Sequence, residues 1–306
     1  MKSNYDIIWL DCVDSTNDEA RRRISDLDNL SVLSALSQTQ GRGQRGNLWL
    51  SEPGKNLLFS VVLKYSDGAS APSLLPAVLA YDQFVISQLT SLAVVDLLAS
   101  HGIETQIKWP NDIYAGNKKI CGILIENIVS GKFVNTSIIG IGLNVNQRNF
   151  DVNLPNPTSM ILAREVNTGM DSEAFDLNEL LEEFMDIFTE YLDRFCHITG
   201  GYNRLSKLYH AQLWRLDQLT EFIDLAAGFI DQTGGFIDQP AGVPLGLPSE
   251  ATNLPARTIC HGSPLSPAVT PFRGIIRGTS PVGHLLVELP DGTTREFAFK
   301  EIAYVV

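Results

Sequence analysis

Apolar residues along the chain fall into two kinds of pattern, short continuous runs and longer stretches with helical spacing. The short runs predict β-strands at residues 7–10, 31–38, 56–64, 105–109, 118–127 and 133–146. The helical spacing predicts α-helices over about residues 17–27, 76–100, 176–195 and 202–216. Because strands and helices do not alternate strictly, we expect an α+β domain with a mixed or antiparallel sheet over residues 1–216.

Polar residues mark the ends of two of these elements. The Ser15-Thr16 pair stands three residues before the acidic pair Asp18-Glu19, which is capping-box spacing and predicts the start of the first helix. The Ser-Gly-Lys sequence at 130–132 separates two apolar runs and predicts a β-hairpin.

The longest apolar region, residues 74–99, carries polar residues along its length, among them Asp82, Gln88 and Thr90. No segment reaches the ~18 uninterrupted apolar residues that a membrane span needs. We therefore expect an amphipathic helix of a soluble protein here, and no membrane partner.

The C-terminal third has a different pattern. Residues 272–306 contain short alternating strands separated by Gly-Ser-Pro and Pro-Asp-Gly turns, which predicts a small β-barrel-like module in a second domain, residues 217–306. The triplet Phe-Ile-Asp recurs every seven residues from 222, but nearby glycines and prolines exclude a coiled coil. Seven of the 15 prolines fall within 240–271. We therefore predict a flexible insertion at about 225–271 that interrupts this domain.

Composition and charge narrow the class of protein. A formal net charge of −12 is unfavourable for a broad nucleic-acid surface, so we expect no nucleic-acid partner. The N-terminus lacks the long apolar run of a secretory signal. The four cysteines include no C-x-x-C pair, and the Cys-His dipeptides at 196–197 and 260–261 lack standard ligand spacing. We expect reduced thiols, a cytoplasmic location and no metal site.

The stretch GRGQRG, residues 41–46, matches the G-x-G-x-x-G pattern of dinucleotide-binding turns. That turn requires a following helix, whereas Pro53, Gly54 and a predicted strand follow here. An anion-binding loop suits the residues better, because glycines allow close backbone approach and arginines donate forked hydrogen bonds. Trp49 adds a flat ring on which a nucleotide base can stack.

Three further stretches place polar groups at strand ends. KWPNDIY (108–114) sets a cation, an amide and a carboxylate around a proline bend. KKICGIL (118–124) and GIGLNVN (140–146) contain glycines inside strands, which indicates close approach of a ligand or of another backbone. Taken singly, each also fits ordinary strand-end polarity or sheet packing.

Taken together and in order, these stretches resemble the biotin protein ligase family. The matching motifs are DSTN (14–17), QTQGRGQRGNLW (38–49), KWPND (108–112), KKICGIL (118–124) and GIGLNVN (140–146). The resemblance implies a catalytic domain like that of class II aminoacyl-tRNA synthetases. The final strands, ending in FKEIAYVV, resemble the SH3-like domain of that family.

The resemblance also implies a two-step reaction. Biotin and ATP, with Mg²⁺, form biotinyl-5′-AMP and pyrophosphate, and the biotinyl group then passes to a lysine of a biotin carboxyl carrier protein. Homodimers occur in the family, and we regard a homodimer as an open alternative here. A lipoate–protein ligase and a non-catalytic biotin-binding or biotin-sensing module are the competing functions.

Carried over position by position, the resemblance assigns roles to individual residues. The catalytic residues implied are Arg42 and Lys119, on the biotin carboxylate and the α-phosphate, with Lys108 and Asp112, the latter orienting or deprotonating the incoming lysine. The biotin-binding residues implied are Ser15, Thr16, Asn17, Gln38, Gly41, Arg42, Gly43, Gln44, Lys119 and Gly122. The nucleotide-binding residues implied are Arg45, Gly46, Trp49, Asn111 and Asn144.

The chain departs from the family pattern at two points. Gln44 stands where members commonly carry a further arginine, which removes one charge from the loop. The first motif begins at Asp14 and leaves no room for the N-terminal winged-helix DNA-binding domain of some bacterial members, so we expect no repressor activity.

Overall fold

The described part of the chain falls into two units. The structure, a computed structural model, describes residues 5–66, 75–170, 172–196, 201–225 and 271–305. One unit comprises Met1–Leu216 with Gly278–Leu285, and the other comprises Asp217–Arg277 with Leu286–Val306. Nearly all of the insertion predicted at 225–271 lies outside the described residues, as do Cys260, His197 and the side chains of Arg45 and Cys196.

An eight-stranded sheet forms the first unit. Its strands are β1 (Asp6–Val13), β2 (Ser31–Gln38), β3 (Leu57–Lys64), β4 (Val78–Leu79), β5 (Gln106–Lys108), β6 (Asp112–Ala115), β7 (Lys118–Ser130) and β8 (Phe133–Leu143). They pair in the order β1-β2-β3-β8-β7-β6-β5, with β4 beside β8. The β1–β2 pair is parallel and the remaining pairs are antiparallel, which confirms the predicted α+β fold with a mixed sheet.

Helices cover both faces of this sheet. They are α1 (Thr16–Arg22), α2 (Phe84–Ser100), α3 (Met160–Thr168), α4 (Leu177–Cys196) and α5 (Gly201–Ala211). On one face Ala20 of α1 packs with Leu33, Val62 and Ile138 of the sheet. On the other face the ring of Phe59 meets that of Phe184 in α4, with centroids 5.1 Å apart. Because β3 is covered on both faces, its run Leu57–Leu63 is continuously buried, as expected for a central strand.

Three predicted helices begin or end elsewhere than expected, and one of them is α5, which ends at Ala211 instead of residue 216. Helix α1 begins at Thr16 with Ser15 at its N-cap position, which confirms the predicted start, although Ser15 makes no side-chain capping bond and the helix ends at Arg22 instead of residue 27. Helix α2 begins at Phe84 instead of residue 76 because Val78 and Leu79 pair with β8 as strand β4. Pairing with β8 provides backbone hydrogen bonds that a helix there would otherwise supply.

Helix α2 is buried around its whole circumference, so the prediction of an amphipathic helix is wrong. Polar residues such as Gln88, Thr90 and Ser91 are as buried as their apolar neighbours, and Thr90 Oγ1 donates to the Ile86 carbonyl 2.8 Å away. The helix packs against α4 and α5. Segment Ala80–Ser100 is long and apolar enough to cross a membrane, because an 18-residue part of it has a mean hydropathy of 1.4, and 67% of that part is buried inside the protein.

Besides β4, two further elements were absent from the sequence prediction. Strand β6 is only four residues long and follows the cis peptide bond between Trp109 and Pro110. Helix α3 starts with a Ser159 side chain that accepts from the Leu162 N–H and stops at Gly169, which has a φ of 68°. The Ser159 cap and the Gly169 stop are a sequence signal that could have revealed α3. The predicted hairpin is confirmed as β7 and β8.

The second unit contains a five-stranded sheet. Its strands are β9 (Leu219–Asp224), β10 (Pro271–Thr279), β11 (Leu285–Glu288), β12 (Thr294–Phe297) and β13 (Ile302–Tyr304), in the order β12-β11-β10-β9-β13. Strand β9 pairs antiparallel with both β10 and β13. Phe222, Phe272 and Phe297 stack along the sheet, with successive ring centroids 5.5 Å apart.

Candidate active site

Three glycines form the floor of a cavity on the α1 face of the large sheet. Gly140 and Gly142 lie two residues apart on β8 and therefore share a face, and Gly122 of β7 pairs directly with Gly142. An added Cβ at Gly140 would lie 2.9 Å from Asn17 Cγ, and one at Gly122 would lie 2.8 Å from the Trp49 ring. Glycine is required because other side chains occupy the space directly above the strands.

Neutral polar groups gather over Gly140. Gln38 Oε1 accepts from the Thr16 N–H at 2.7 Å. Ser60 is the cross-strand partner of Gly140 in the sheet. Its buried hydroxyl lies 2.8 Å from Thr16 Oγ1 and 2.7 Å from Asn17 Oδ1. These contacts fix the start of α1 against the sheet and hold amide and hydroxyl groups at one end of the cavity.

The glycine-rich loop is a small closed hairpin. Trp49 N–H donates to the Gly41 carbonyl at 2.8 Å, and Gly43 N–H donates to the Asn47 carbonyl at 2.7 Å. Gly46 has a φ of 81° at the turn, where a non-glycine residue would be strained. The hairpin carries Arg42 and Trp49 on its two strands and so delivers both to the same cavity.

Arg42 is held by two carboxylates. Its guanidinium donates to Glu126 Oε1 at 2.7 Å and to Asp18 Oδ1. Partial burial alone would lower the pKa of Arg42, but the hydrogen bond and charge of Glu126, aided by Asp18, raise that pKa above its ordinary value. The group is therefore a fixed positive charge with defined direction.

The indole ring of Trp49 lies over Gly122 and Gly142, at the other end of the glycine floor from Asn17. Lys119 Nζ is 5.5 Å from the centre of that ring and 2.6 Å from Asp112 Oδ1. The Trp49 indole N–H is buried and finds no partner within the described chain. A buried donor without a partner is a candidate contact for a ligand.

The remaining motif residues support the cavity from its edge. Asn111 lines it, and its side-chain amide donates to the Ile123 carbonyl at 2.8 Å. Lys108 does not line it: its ammonium group donates to Tyr114 Oη at 2.9 Å and lies 5.3 Å from the Trp214 ring. Desolvation lowers the pKa of Lys108 to about 8, against the opposing charge of Asp112. Asn144 is buried away from the lining and donates to the Thr158 carbonyl at 2.9 Å.

The cavity encloses about 450 Å³ of space, including the open solvent at its mouth. The predicted residues that line it from α1 and β2 are Ser15, Thr16, Asn17 and Gln38. Those from the loop are Arg42, Gly43, Gln44 and Trp49, and those from the strand region are Asn111, Lys119 and Gly122. Gly41, Gly46, Lys108, Asp112 and Asn144 do not line it, and the Arg45 side chain lies outside the described part of the structure.

Sequence reasoning missed several participants. Ser60 and Glu126 contact predicted site residues, but both lie inside long apolar strands and belong to none of the residues predicted for the site. Leu124, Gly140 and Gly142, which lie in the predicted motifs KKICGIL and GIGLNVN, also line the cavity, as do Ile123 and Ile141. The sequence did contain a signal for Glu126. Alternate residues of a strand share a face, so Glu126 lies on the same face as Gly122 and Leu124, which is the face that lines the cavity.

A solved structure with the same fold is that of the biotin protein ligase from Aquifex aeolicus in complex with biotin and ATP. The two chains superpose with a TM-score of 0.64 over 97% of each, at 22% sequence identity. The fold is therefore that of the biotin protein ligases, with a cavity that combines neutral hydrogen-bonding groups and two cations.

Residues 9–144 match the model of the Biotin/lipoate A/B protein ligase family. The chain is 31% identical over 207 residues to biotin–protein ligase 1, chloroplastic, of Arabidopsis thaliana, covering 67% of this chain and 51% of that protein. It is 34% identical over 135 residues to the biotin–[acetyl-CoA-carboxylase] ligase of Paracoccus denitrificans, covering 43% and 51%. The matched segments thus span about half the length of these relatives.

Proposed function

We propose that the chain is a biotin–protein ligase, which uses MgATP to convert biotin into biotinyl-5′-AMP and then transfers the biotinyl group to a lysine of a biotin carboxyl carrier protein. The observation that carries the proposal is one cavity in which neutral hydrogen-bonding groups stand beside Arg42 and Lys119 on a glycine floor. The names of the relatives support biotin as the substrate and a carboxylase carrier as the acceptor.

The neutral end of the cavity suits the fused ring of biotin. A cyclic urea carries no charge but both donates and accepts hydrogen bonds, which matches Thr16, Asn17 and Gln38. The apolar acyl chain then runs along Gly122 and Leu124 towards the two cations. Burying a neutral polar ring is favourable only when its hydrogen bonds are replaced, and this end of the cavity supplies the replacements.

Activation requires two anions to meet. The biotin carboxylate oxygen attacks the α-phosphorus of ATP, the bond from that phosphorus to the bridging oxygen breaks, and pyrophosphate leaves. Arg42 and Lys119 offset the repulsion and stabilise the charge that develops on the α-phosphate, a contribution on the order of 10²–10³ in rate for one such donor. Trp49 stacks on the adenine ring, and its unpaired indole N–H is available to the nucleotide.

Transfer then requires an uncharged amine. The acceptor lysine nitrogen attacks the acyl carbon, the bond from that carbon to the phosphate oxygen breaks, and AMP leaves with its electron pair. We assign Asp112 to orienting the amine or accepting its proton, because the carboxylate lies 2.6 Å from Lys119 Nζ at the edge of the cavity.

The donor set of the protein constrains how Mg²⁺ would bind. Within the described ranges no three His, Cys, Asp or Glu side chains gather into a metal site. Mg²⁺ commonly binds through substrate phosphates, waters and one or two carboxylates, which is compatible with this cavity. When bound, the ion neutralises phosphate charge and leaves Arg42 and Lys119 to act at the reacting oxygens.

Lipoate–protein ligase remains the alternative enzyme, because the matched family includes both activities. Lipoate ends in an apolar dithiolane ring, which cannot exchange hydrogen bonds with the polar groups over Gly140. The neutral polar end of the cavity therefore favours biotin.

The test compares ATP–pyrophosphate exchange in the presence of biotin and of lipoate, followed by mass spectrometry of a carrier domain. The proposal predicts biotin-dependent exchange and one biotinyl adduct on one lysine. Exchange with lipoate alone would overturn the substrate assignment. Tight biotin binding without exchange or adduct would identify a non-catalytic binding module.

We also propose that the first unit has the class II aminoacyl-tRNA-synthetase-like architecture and that the second is an SH3-like barrel, with a domain boundary at 216–217. The antiparallel pairing of β9 with β10 and β13 supports the barrel assignment. The cytoplasmic location, the homodimer and the lack of nucleic-acid and membrane partners stay predictions from the sequence.

A further inference from the structure

Glu126 occupies an unusual place on strand β7. Gly122 and Leu124 line the cavity, and Glu126 is the next residue on the same face of the strand. Its side chain is only 18% exposed, so the carboxylate is largely withdrawn from water. A carboxylate that is shielded from water needs hydrogen-bonding or charged partners. The partners of Glu126 lie at both ends of the cavity.

Each carboxylate oxygen of Glu126 has its own partners. Oε1 accepts from Arg42 Nη2 at 2.7 Å and lies 3.1 Å from Arg21 Nη2. Oε2 accepts from Asn17 Nδ2 at 2.9 Å. One side chain thereby bridges the residue assigned to the ring of biotin and the residue assigned to the reacting anions.

We propose that Glu126 is a positioning residue that fixes Asn17 and Arg42 relative to each other, and so sets the distance between the polar end and the cationic end of the cavity. The inference rests on the proposed function for its consequence in the reaction. Glu126 itself touches neither substrate in this account. It acts by restricting the long, flexible arginine side chain to one orientation before the anions arrive.

Glutamine and alanine at this position separate the two partners. In Glu126→Gln the negative charge that faces Arg42 is removed, while an amide oxygen that can accept from Asn17 is kept. The glutamine variant therefore leaves Asp18 as the carboxylate partner of Arg42 but can retain the Asn17 contact, whereas Glu126→Ala removes the contacts of Glu126 with both Arg42 and Asn17. Glu165→Gln is the matched control, because Glu165 is also 18% exposed and pairs with Arg148 outside the cavity.

The first readout does not depend on any reaction. Trypsin must take the arginine side chain into its own acidic pocket, so an Arg42 held by carboxylates is a poor cleavage site. We expect both Glu126 variants to accelerate cleavage after Arg42 by at least about tenfold, the difference that a hydrogen bond to a charged group typically makes. Cleavage after Arg148 should rise only in the Glu165→Gln control. An unchanged rate after Arg42 in either Glu126 variant overturns the proposal.

The second readout is the biotin-dependent exchange reaction together with calorimetric binding of biotin. Glu126→Gln should lower kcat by about 10- to 100-fold, the effect of misplacing a reacting group, and should weaken biotin binding less than Glu126→Ala does. Glu126→Ala should also weaken biotin binding by about tenfold through loss of the Asn17 bond. A wild-type kcat in the glutamine variant overturns the proposal.

The two readouts separate the failure of this proposal from the failure of the proposed function. If the wild-type protein shows no exchange but both Glu126 variants are cut faster after Arg42, the ligase assignment fails and the positioning contact stands. If exchange is normal in the wild-type protein and cleavage after Arg42 is unchanged in the variants, the ligase assignment stands and Glu126 has no positioning role.

Discussion

The glycine floor allows the two ends of the cavity to be perturbed separately. A Cβ at Gly140 would lie 2.9 Å from Asn17 Cγ, and a Cβ at Gly142 would lie 2.7 Å from Trp49 Nε1. Ordinary contact begins at 3.4 Å, so each facing side chain would have to retreat by at least about 0.5 Å. We predict that Gly140→Ala impairs biotin binding and that Gly142→Ala impairs nucleotide binding.

The magnitudes follow from the contacts that each retreat disturbs. Asn17 is held by Ser60 at 2.7 Å and by Glu126 at 2.9 Å, and moving it weakens these bonds and its contact with the ligand. At about 1 kcal/mol for each neutral hydrogen bond, the loss of one or two bonds between Asn17 and the ligand corresponds to a 5- to 30-fold increase in the dissociation constant of biotin. Base–aromatic stacking contributes about 1–3 kcal/mol, so displacing Trp49 should raise the KM for ATP by about 5- to 100-fold.

Biotin affinity is measured by calorimetry, and the KM for ATP by exchange at saturating biotin. Gly131→Ala is the control, because Gly131 has a φ of 58° in the turn between β7 and β8 with open space around it. That variant should lose about 1–2 kcal/mol of stability from backbone strain and leave both ligand constants unchanged. If Gly140→Ala and Gly142→Ala, both folded, alter the two constants equally, the division of the cavity into a biotin end and a nucleotide end is wrong.

Three further predictions test single side chains. Lys119→Ala should lower the rate of adenylate formation by about 10²–10³ with the fold intact. The control is Lys118→Ala, at the exposed neighbouring position, which should stay near wild type. Normal pyrophosphate release in Lys119→Ala would contradict the role assigned to Lys119. Ser60→Ala should weaken biotin binding, measured by calorimetry, by about tenfold with an unchanged KM for ATP, because Ser60 contacts both Thr16 and Asn17. The control Ser37→Ala should not weaken biotin binding, because the Ser37 hydroxyl donates to the Asp11 carbonyl instead. Desolvation lowers the pKa of Lys108 to about 8, so the folded protein binds fewer protons than the unfolded chain between pH 8 and about 10.5. The free energy of unfolding, measured by urea denaturation, should therefore rise with pH across that window, and Lys108→Met should lack this rise. Parallel pH profiles of the wild-type protein and Lys108→Met would refute the assignment of the rise to Lys108.

Much of the candidate site follows from motif residues that lie close together in sequence. DSTN, GRGQRG, KWPND and KKICGIL each supplied at least one lining residue, because each places polar groups beside a strand whose position the apolar pattern predicts. Where the motif assignments diverged from the structure, the side chain was engaged elsewhere. Asn144 bonds to Thr158, and Lys108 lies against Tyr114 and Trp214, so neither lines the cavity.

The sequence by itself determined the longer strands and most of the chemical groups in the site, because short apolar runs and turn residues act locally, whereas the short strands β4 and β6 left no such pattern. The tertiary structure alone decided the cross-strand register that aligns Ser60 with Gly140 and Gly122 with Gly142. It also decided that Glu126 meets Asn17 and Arg42, residues 109 and 84 positions away. Local periodicity carries no information about which distant strand lies alongside, and burial of α2 on every side depends on the helices packed against it.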